Sequence, residues 1–192
     1  MIDLVSLIGI ENSLLPYGFA VALVSLSPIA SAQSPGELGM IRRLWLASAD
    51  SADSLEAALT VIDSMEVGVR DHPRVMAFEG ALVSMRGKHS AWPHRKIVHV
   101  RRGLRLLDAA VEKDPSDPEI RYLRMLTCEH LPKFFGRDWT VSVDAAALTS
   151  SLLTLRETLP PDFYTYLIGF VIEHGSPTKD ETNRLEHELQ PD

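Results

Sequence analysis

Past Gln33, apolar residues recur every three or four positions and almost nowhere every second one. Leu38, Ile41, Leu44 and Trp45 form a first short stripe, and Leu55, Leu59, Ile62, Met65 and Val69 a second. Val75, Phe78, Leu82 and Met85 form a third. A longer one holds Ile97, Val100, Leu104, Leu107 and Val111, and Ile120, Leu123 and Leu126 continue the series. This spacing follows the turn of an α-helix, so each stripe is expected to be the buried face of one. No stretch sustains the two-residue alternation with β-branched enrichment that marks a strand. The chain is therefore read as all-α.

Local signals punctuate these stripes. Asp53-Ser54-Leu55-Glu56 has the form of a capping box, with Asp53 as the cap and Glu56 reaching back. Pro73 is expected to open the third helix. Asp117-Pro118-Glu119 places a capping side chain, a first-position proline and an acid at the start of another. Pro73, Pro115 and Pro160 each fall between two helices, at intervals of 42 and 45 residues. Between them the order repeats: helix, polar turn, longer helix, proline. Periods of that size predict stacked helix pairs, each burying a face that it cannot bury alone.

The stretch from FEGALVSMRG through GLRLLDAAVEKDPSDPEI resembles a tetratricopeptide repeat. Gly80 stands at that motif's small residue and Gly87 at its turn glycine. Gly103, Leu107, Ala110 and Pro115 stand at the small, large apolar, alanine and closing proline positions of its second helix. The separation of Gly80 from Pro115, 35 residues, is about 11 longer than the motif allows. The excess falls between Gly87 and Gly103 and implies an expanded turn. A second unit, residues 118–160, offers only Gly136 as a turn glycine. GKHSAWPHRK, LLDAAVEKDPSDPEIRYLR and LPKFFG are also similar to segments of exported bacterial helical proteins. The resemblance covers roughly residues 55–175. It implies a short α-solenoid of antiparallel helix pairs and says almost nothing of function; the expected function is a non-catalytic module that holds a protein or peptide partner on its concave face. Arg121, Arg124 and Glu79 are expected there. Tetratricopeptide signature residues pack helices and do no chemistry.

Composition narrows the partner. The chain has 192 residues, 45% of them hydrophobic and 23% charged, which suits a packed core rather than disorder. Its net charge of −7 argues against general nucleic-acid binding. Cys128, the single cysteine, is expected to be an inert core residue. At the amino-terminus, an apolar run from Phe19 to Leu26 precedes Pro28 and Ala30-Ser31-Ala32, a signal-peptide pattern with cleavage after Ala32. Asp3 and Glu11, without a Lys or Arg in residues 1–13, depart from that pattern and leave a retained anchor or a buried helix as alternatives. The expected organisation is a leader over residues 1–32 and one helical domain over residues 33–192, periplasmic or secreted. Membrane contact would come only through the leader or the basic segment described next.

Residues 87–103, GKHSAWPHRKIVHVRRG, carry the candidate chemistry. His89, His94 and His99 recur at intervals of five and form a weak candidate metal set. Lys88, Arg95, Lys96 and Arg101 would repel a divalent ion, so capping, stacking or solvation is the preferred reading. From Gly80 to Leu107 there is no acidic residue, yet Arg86, Lys88, Arg95, Lys96, Arg101, Arg102 and Arg105 are present. This asymmetry marks a surface for an anionic ligand or acidic partner, or one neutralised by Asp180, Glu181, Glu186 and Glu188. Trp92 is expected to pin the turn onto the helices, with Pro93 separating them, or else to face a ligand. Leu131, Phe134 and Phe135 are expected to pack under a neighbouring pair together with Trp139. No nucleophile elbow, phosphate loop or dinucleotide fingerprint is found, and neither catalysis nor a cofactor is expected. An enzyme using the histidine segment is the rival reading. Self-association is a further expectation, because short arrays leave apolar ends.

Overall fold

A computed structural model describes residues 35–189. The expected leader and its cleavage site lie outside the described residues. Among the described residues nine α-helices follow one another: α1 (Pro35–Ala47), α2 (Ala52–Asp63), the short α3 (Val67–Arg70), α4 (Pro73–His89), α5 (Pro93–Lys113), α6 (Pro118–Glu129), α7 (Asp138–Leu148), α8 (Pro161–His174) and α9 (Lys179–Glu188). Single 3-10 turns, Lys133–Phe135 and Leu152–Leu155, flank α7. No strand occurs among the described residues, and the chain is all-α.

The helix starts follow from side-chain chemistry. Pro73 and Pro118 occupy the first turns of α4 and α6, where the missing N–H costs nothing. Asp117 accepts from the N–H groups of Glu119 and Ile120 at 2.8 and 3.3 Å. One expected cap is displaced. Ser51, not Asp53, caps α2 by accepting from Ser54 N–H at 3.1 Å. Asp53 falls in the first turn, and the Glu56 carboxylate reaches Arg86 instead of the backbone.

The core gathers the predicted stripes. Ile41, Trp45, Leu55, Leu59, Ile62, Phe78, Leu82, Leu104, Leu107, Ile120 and Leu123 are all buried in one cluster. Trp45 joins α1 to the centre, with its ring 6.0 Å from Phe78, 5.9 Å from Tyr122 and 5.6 Å from Phe163.

The α4–α5 pair differs from expectation. Only residues 90–92 separate the two helices, so the supposed expanded turn is absorbed as extra helix. Gly87 is no turn glycine. It lies inside α4, where a Cβ would stand 3.2 Å from both the Lys96 carbonyl and Val100 Cγ2. At the crossing itself, a Cβ on Gly103 would meet the Gly80 carbonyl at 2.3 Å and Ser84 Oγ at 2.1 Å. The facing pairs run in opposite directions along the two helices, so α4 and α5 are antiparallel and nearly in backbone contact. Gly136, by contrast, sits in a true turn, with φ of 65° after the first 3-10 segment.

Two ion-pair networks tie distant helices together. Glu119, fully buried, accepts from Arg42 Nη2 of α1 at 2.8 Å and from Tyr122 Oη at 3.2 Å, and Arg74 of α4 lies 3.7 Å away. Burial first, then the Glu119 charge, pushes the Tyr122 hydroxyl well above its ordinary pKa. In the other network, Asp144 of α7 accepts from Arg124 Nε and Nη2, both at 2.7 Å, and from Arg121 Nη1 at 2.8 Å. Arg124 also reaches Asp108 at 3.2 Å, and Arg137 closes on the same carboxylate at 2.7 Å.

Candidate functional site

That second network removes Arg121 and Arg124 from the expected binding face. Arg124 is buried, Asp144 is fully buried, and Arg121 donates its Nε–H to the Pro115 carbonyl at 2.9 Å. Glu79 is likewise buried, beside Arg70 and Arg102, each at 3.5 Å. These residues connect helices.

The basic segment divides into three groups. Arg86 forks onto Glu56 at 2.8 and 2.5 Å, and this contact holds the Glu56 carboxyl below its usual range. Arg102 leans on Glu79, and Lys88 donates to the Ala49 carbonyl at 2.7 Å. Arg95, Lys96, Arg101 and Arg105 make no ion pair among the described residues. The carboxyl-terminal acids do not serve the segment as expected. Glu188 pairs with Arg156 at 2.9 Å, and Glu181 completes the capping box of α9 with Thr178.

Helical spacing sorts the four unpaired cations. Arg95, Val98, Arg101, Arg102 and Arg105 are all exposed and project from the side of α5 opposite Val100, Leu104 and Leu107. From Arg95 to Arg105 this stripe runs about 15 Å. Trp92, expected as an internal anchor, stands at its amino-terminal end and is 61% exposed. Its φ of −99° and ψ of 120° are those of an N-cap, as the following proline demands. The ring stays exposed because the three-residue connection offers no wall to cover it.

Lys96 lies on another side of α5 and is one of the residues lining an apolar cleft of about 160 Å³. Trp45, Leu46 and Ala49 form one wall; Met85, Gly87, Ile97 and Val100 a second; Leu126, Leu131, Phe134, Phe135, Phe163 and Tyr166 the rest. Lys88, Lys96 and His130 line it too, and no carboxylate does. His130 donates Nδ1–H to the Leu126 carbonyl at 2.7 Å, which leaves Nε2 as its acceptor when the ring is neutral. Phe134 and Phe135 stack with ring centres 4.5 Å apart. Phe134 is 62% exposed and Trp139 61%, so the LPKFFG corner is only half folded under as expected. Phe135 and Leu131 are the half that packs.

The three histidines do not assemble. His89 and His99 line a shallow recess with Glu56, Arg86, Ser90 and Arg95, whereas the His94 ring pairs with Trp92 at 6.2 Å. Burial and then Arg86, Arg102 and Arg95 lower the His99 pKa, the opposite of a site that gathers positive charge. No group of three or more His, Cys, Asp or Glu residues that could hold a metal is found among the described residues. Cys128 is buried, and burial pushes its thiol up to about 12.

The cleft was invisible in the sequence. Its walls come from five helices, and only the apolar cluster at LPKFFG gave a local hint. Comparisons with family models, curated proteins and solved structures found no match to this chain.

Proposed function

We propose that the protein is a non-catalytic, exported interaction module of short tetratricopeptide-like helix pairs, and that an acidic protein or peptide segment binds along the outer face of α5. The observation that carries the reading is the stripe of Arg95, Arg101 and Arg105, exposed and without carboxylate partners among the described residues, in a chain of net charge −7. A solvated cation row does little for folding, but facing an acidic partner it raises the association rate and sets orientation. Exposed Trp92 and Val98 add apolar anchors of the kind that dominate binding energy when covered. The antiparallel α4–α5 pair is what supports the helix-pair part of the proposal, and the signal-like residues 1–32 support export. No helix among the described residues is long and apolar enough to cross a membrane.

Cross-linked capture with residues 33–192, run beside the Arg95→Glu/Arg101→Glu/Arg105→Glu variant, tests this. A partner recovered by the first, lost with the second and released by moderate salt is the expected result. Recovery of only the protein itself, or of the same partner with both baits, would remove this face from consideration.

A further inference from the structure

The apolar cleft stands apart from the α5 outer face and takes a different kind of ligand. We infer that it binds an amphiphilic monoanion, specifically a free aliphatic carboxylate, with the alkyl chain among Trp45, Met85, Ile97, Val100 and Phe163 and the carboxylate at Lys96.

Size, lining and charge each constrain the occupant. A cleft of about 160 Å³ matches the roughly 150 Å³ cavity volume that holds benzene, about six carbons. A longer chain continues through the open mouth past Phe134, the exposed aromatic on the lip. The lining is apolar almost throughout, so the amide groups of a peptide would lose water with few partners in return, whereas an alkyl chain loses nothing. That contrast selects a free chain over a peptide side chain with its backbone.

The head group follows from the polar residues that remain. Lys88 and Lys96 are among the lining residues, and no carboxylate residue is. Lys88 is partly committed to the Ala49 carbonyl at 2.7 Å. Lys96 has no acidic partner among the described residues, and it sits in the first turn of α5, where the helix end is itself positive. A cationic head would be repelled at this place, and a neutral one would leave Lys96 as it is. The charge on Lys96 thus discriminates between ligands of equal tail length.

Octanoate titrated into the full chain tests the inference, with octan-1-ol and octyltrimethylammonium as probes of equal tail. In a Trp92→Phe/Trp139→Phe background, which retains only Trp45, fluorescence reports occupancy of the cleft directly, and calorimetry gives the stoichiometry. One octanoate is expected to bind per chain, shifting Trp45 emission. Octan-1-ol should bind about fivefold more weakly, and octyltrimethylammonium not measurably. Lys96→Gln should lower octanoate affinity about fivefold while leaving octan-1-ol unchanged, with helical circular dichroism preserved. Failure of octanoate to bind would overturn the inference. Equal affinity for the three probes, or no effect of Lys96→Gln, would also do so. So would loss of octanoate binding in the Arg95→Glu/Arg101→Glu/Arg105→Glu variant alone, since that places the ligand on the outer face.

Discussion

Replacing Gly103 by alanine tests how closely α4 and α5 are obliged to approach. Two effects oppose each other. In a helix interior, Gly→Ala gains about 1 kcal/mol from backbone entropy. Against this, the new methyl would lie 2.3 Å from the Gly80 carbonyl and 2.8 Å from Ser84 N. Ser84 Oγ, at 2.1 Å, can rotate away, but those two backbone atoms cannot. Restoring ordinary contact, which begins near 3.4 Å, requires the helices to separate by about 1 Å. Overpacking of a rigid crossing costs about 3 kcal/mol, so the net loss is about 2 kcal/mol. For a domain of this size that lowers Tm by roughly 6 °C. Gly169→Ala is the matched control, because it lies within α8 with nothing inside 4 Å of its Cβ. It should gain the full ~1 kcal/mol. Urea denaturation followed by circular dichroism measures both, with an unchanged m-value required for the comparison. Gly80→Ala, whose nearest backbone contact is 2.8 Å, should fall between them. A Gly103→Ala midpoint at or above that of the parent would refute the reasoning, as would an equal loss at Gly169.

Asp144→Ala leaves Arg124 buried without its main partner, and should cost about 3 kcal/mol in urea denaturation. Adding Arg124→Met should recover part of that loss, and a single-variant cost below about 1 kcal/mol would contradict the assignment. His99 gives a pH dependence of fixed sign. Its folded pKa is lowered, so the unfolded chain binds the proton more readily. Its contribution is therefore full above about pH 6.5 and is lost as pH falls through that value toward the folded one. His99→Asn should flatten the slope of the urea midpoint between about pH 7 and 5, and an unchanged slope would count against the burial ascribed to the ring.

Helix existence was legible wherever a stripe and a start signal coincided. Pro73, and Asp117 with Pro118, mark the starts of α4 and α6 by side-chain chemistry that acts within one turn. Glycine was not legible in the same way. A missing Cβ serves a turn or a close helix crossing equally well, and the sequence around Gly87 cannot distinguish them. Reading it as a turn created the supposed expanded connection. Arg121 and Arg124 failed for a different reason. Their partner Asp144 is 20 residues beyond Arg124 and across a helix connection, and no local pattern announces the pairing. The basic character of α5 was legible because its cations fall within one short stretch of sequence, although which of them would remain unpaired was not. The cleft required positions from Trp45 to Tyr166 to converge, which only packing decides.

Cys128 gives the molecule an internal clock for its own opening. A thiol reacts as the thiolate, and one held near 12 inside the core is silent toward disulfide reagents while α6 stays docked. The chain has no second cysteine, so each labelling event reports this one helix. α6 also carries Glu119 and Arg124, the centres of both ion-pair networks. Its release therefore requires α1, α4, α5 and α7 to give up their partners together. With reagent at a concentration where labelling outpaces reclosing, Cys128 should accordingly be labelled at the rate of global unfolding, with the same urea dependence. Faster labelling would show α6 detaching as a separate cooperative unit.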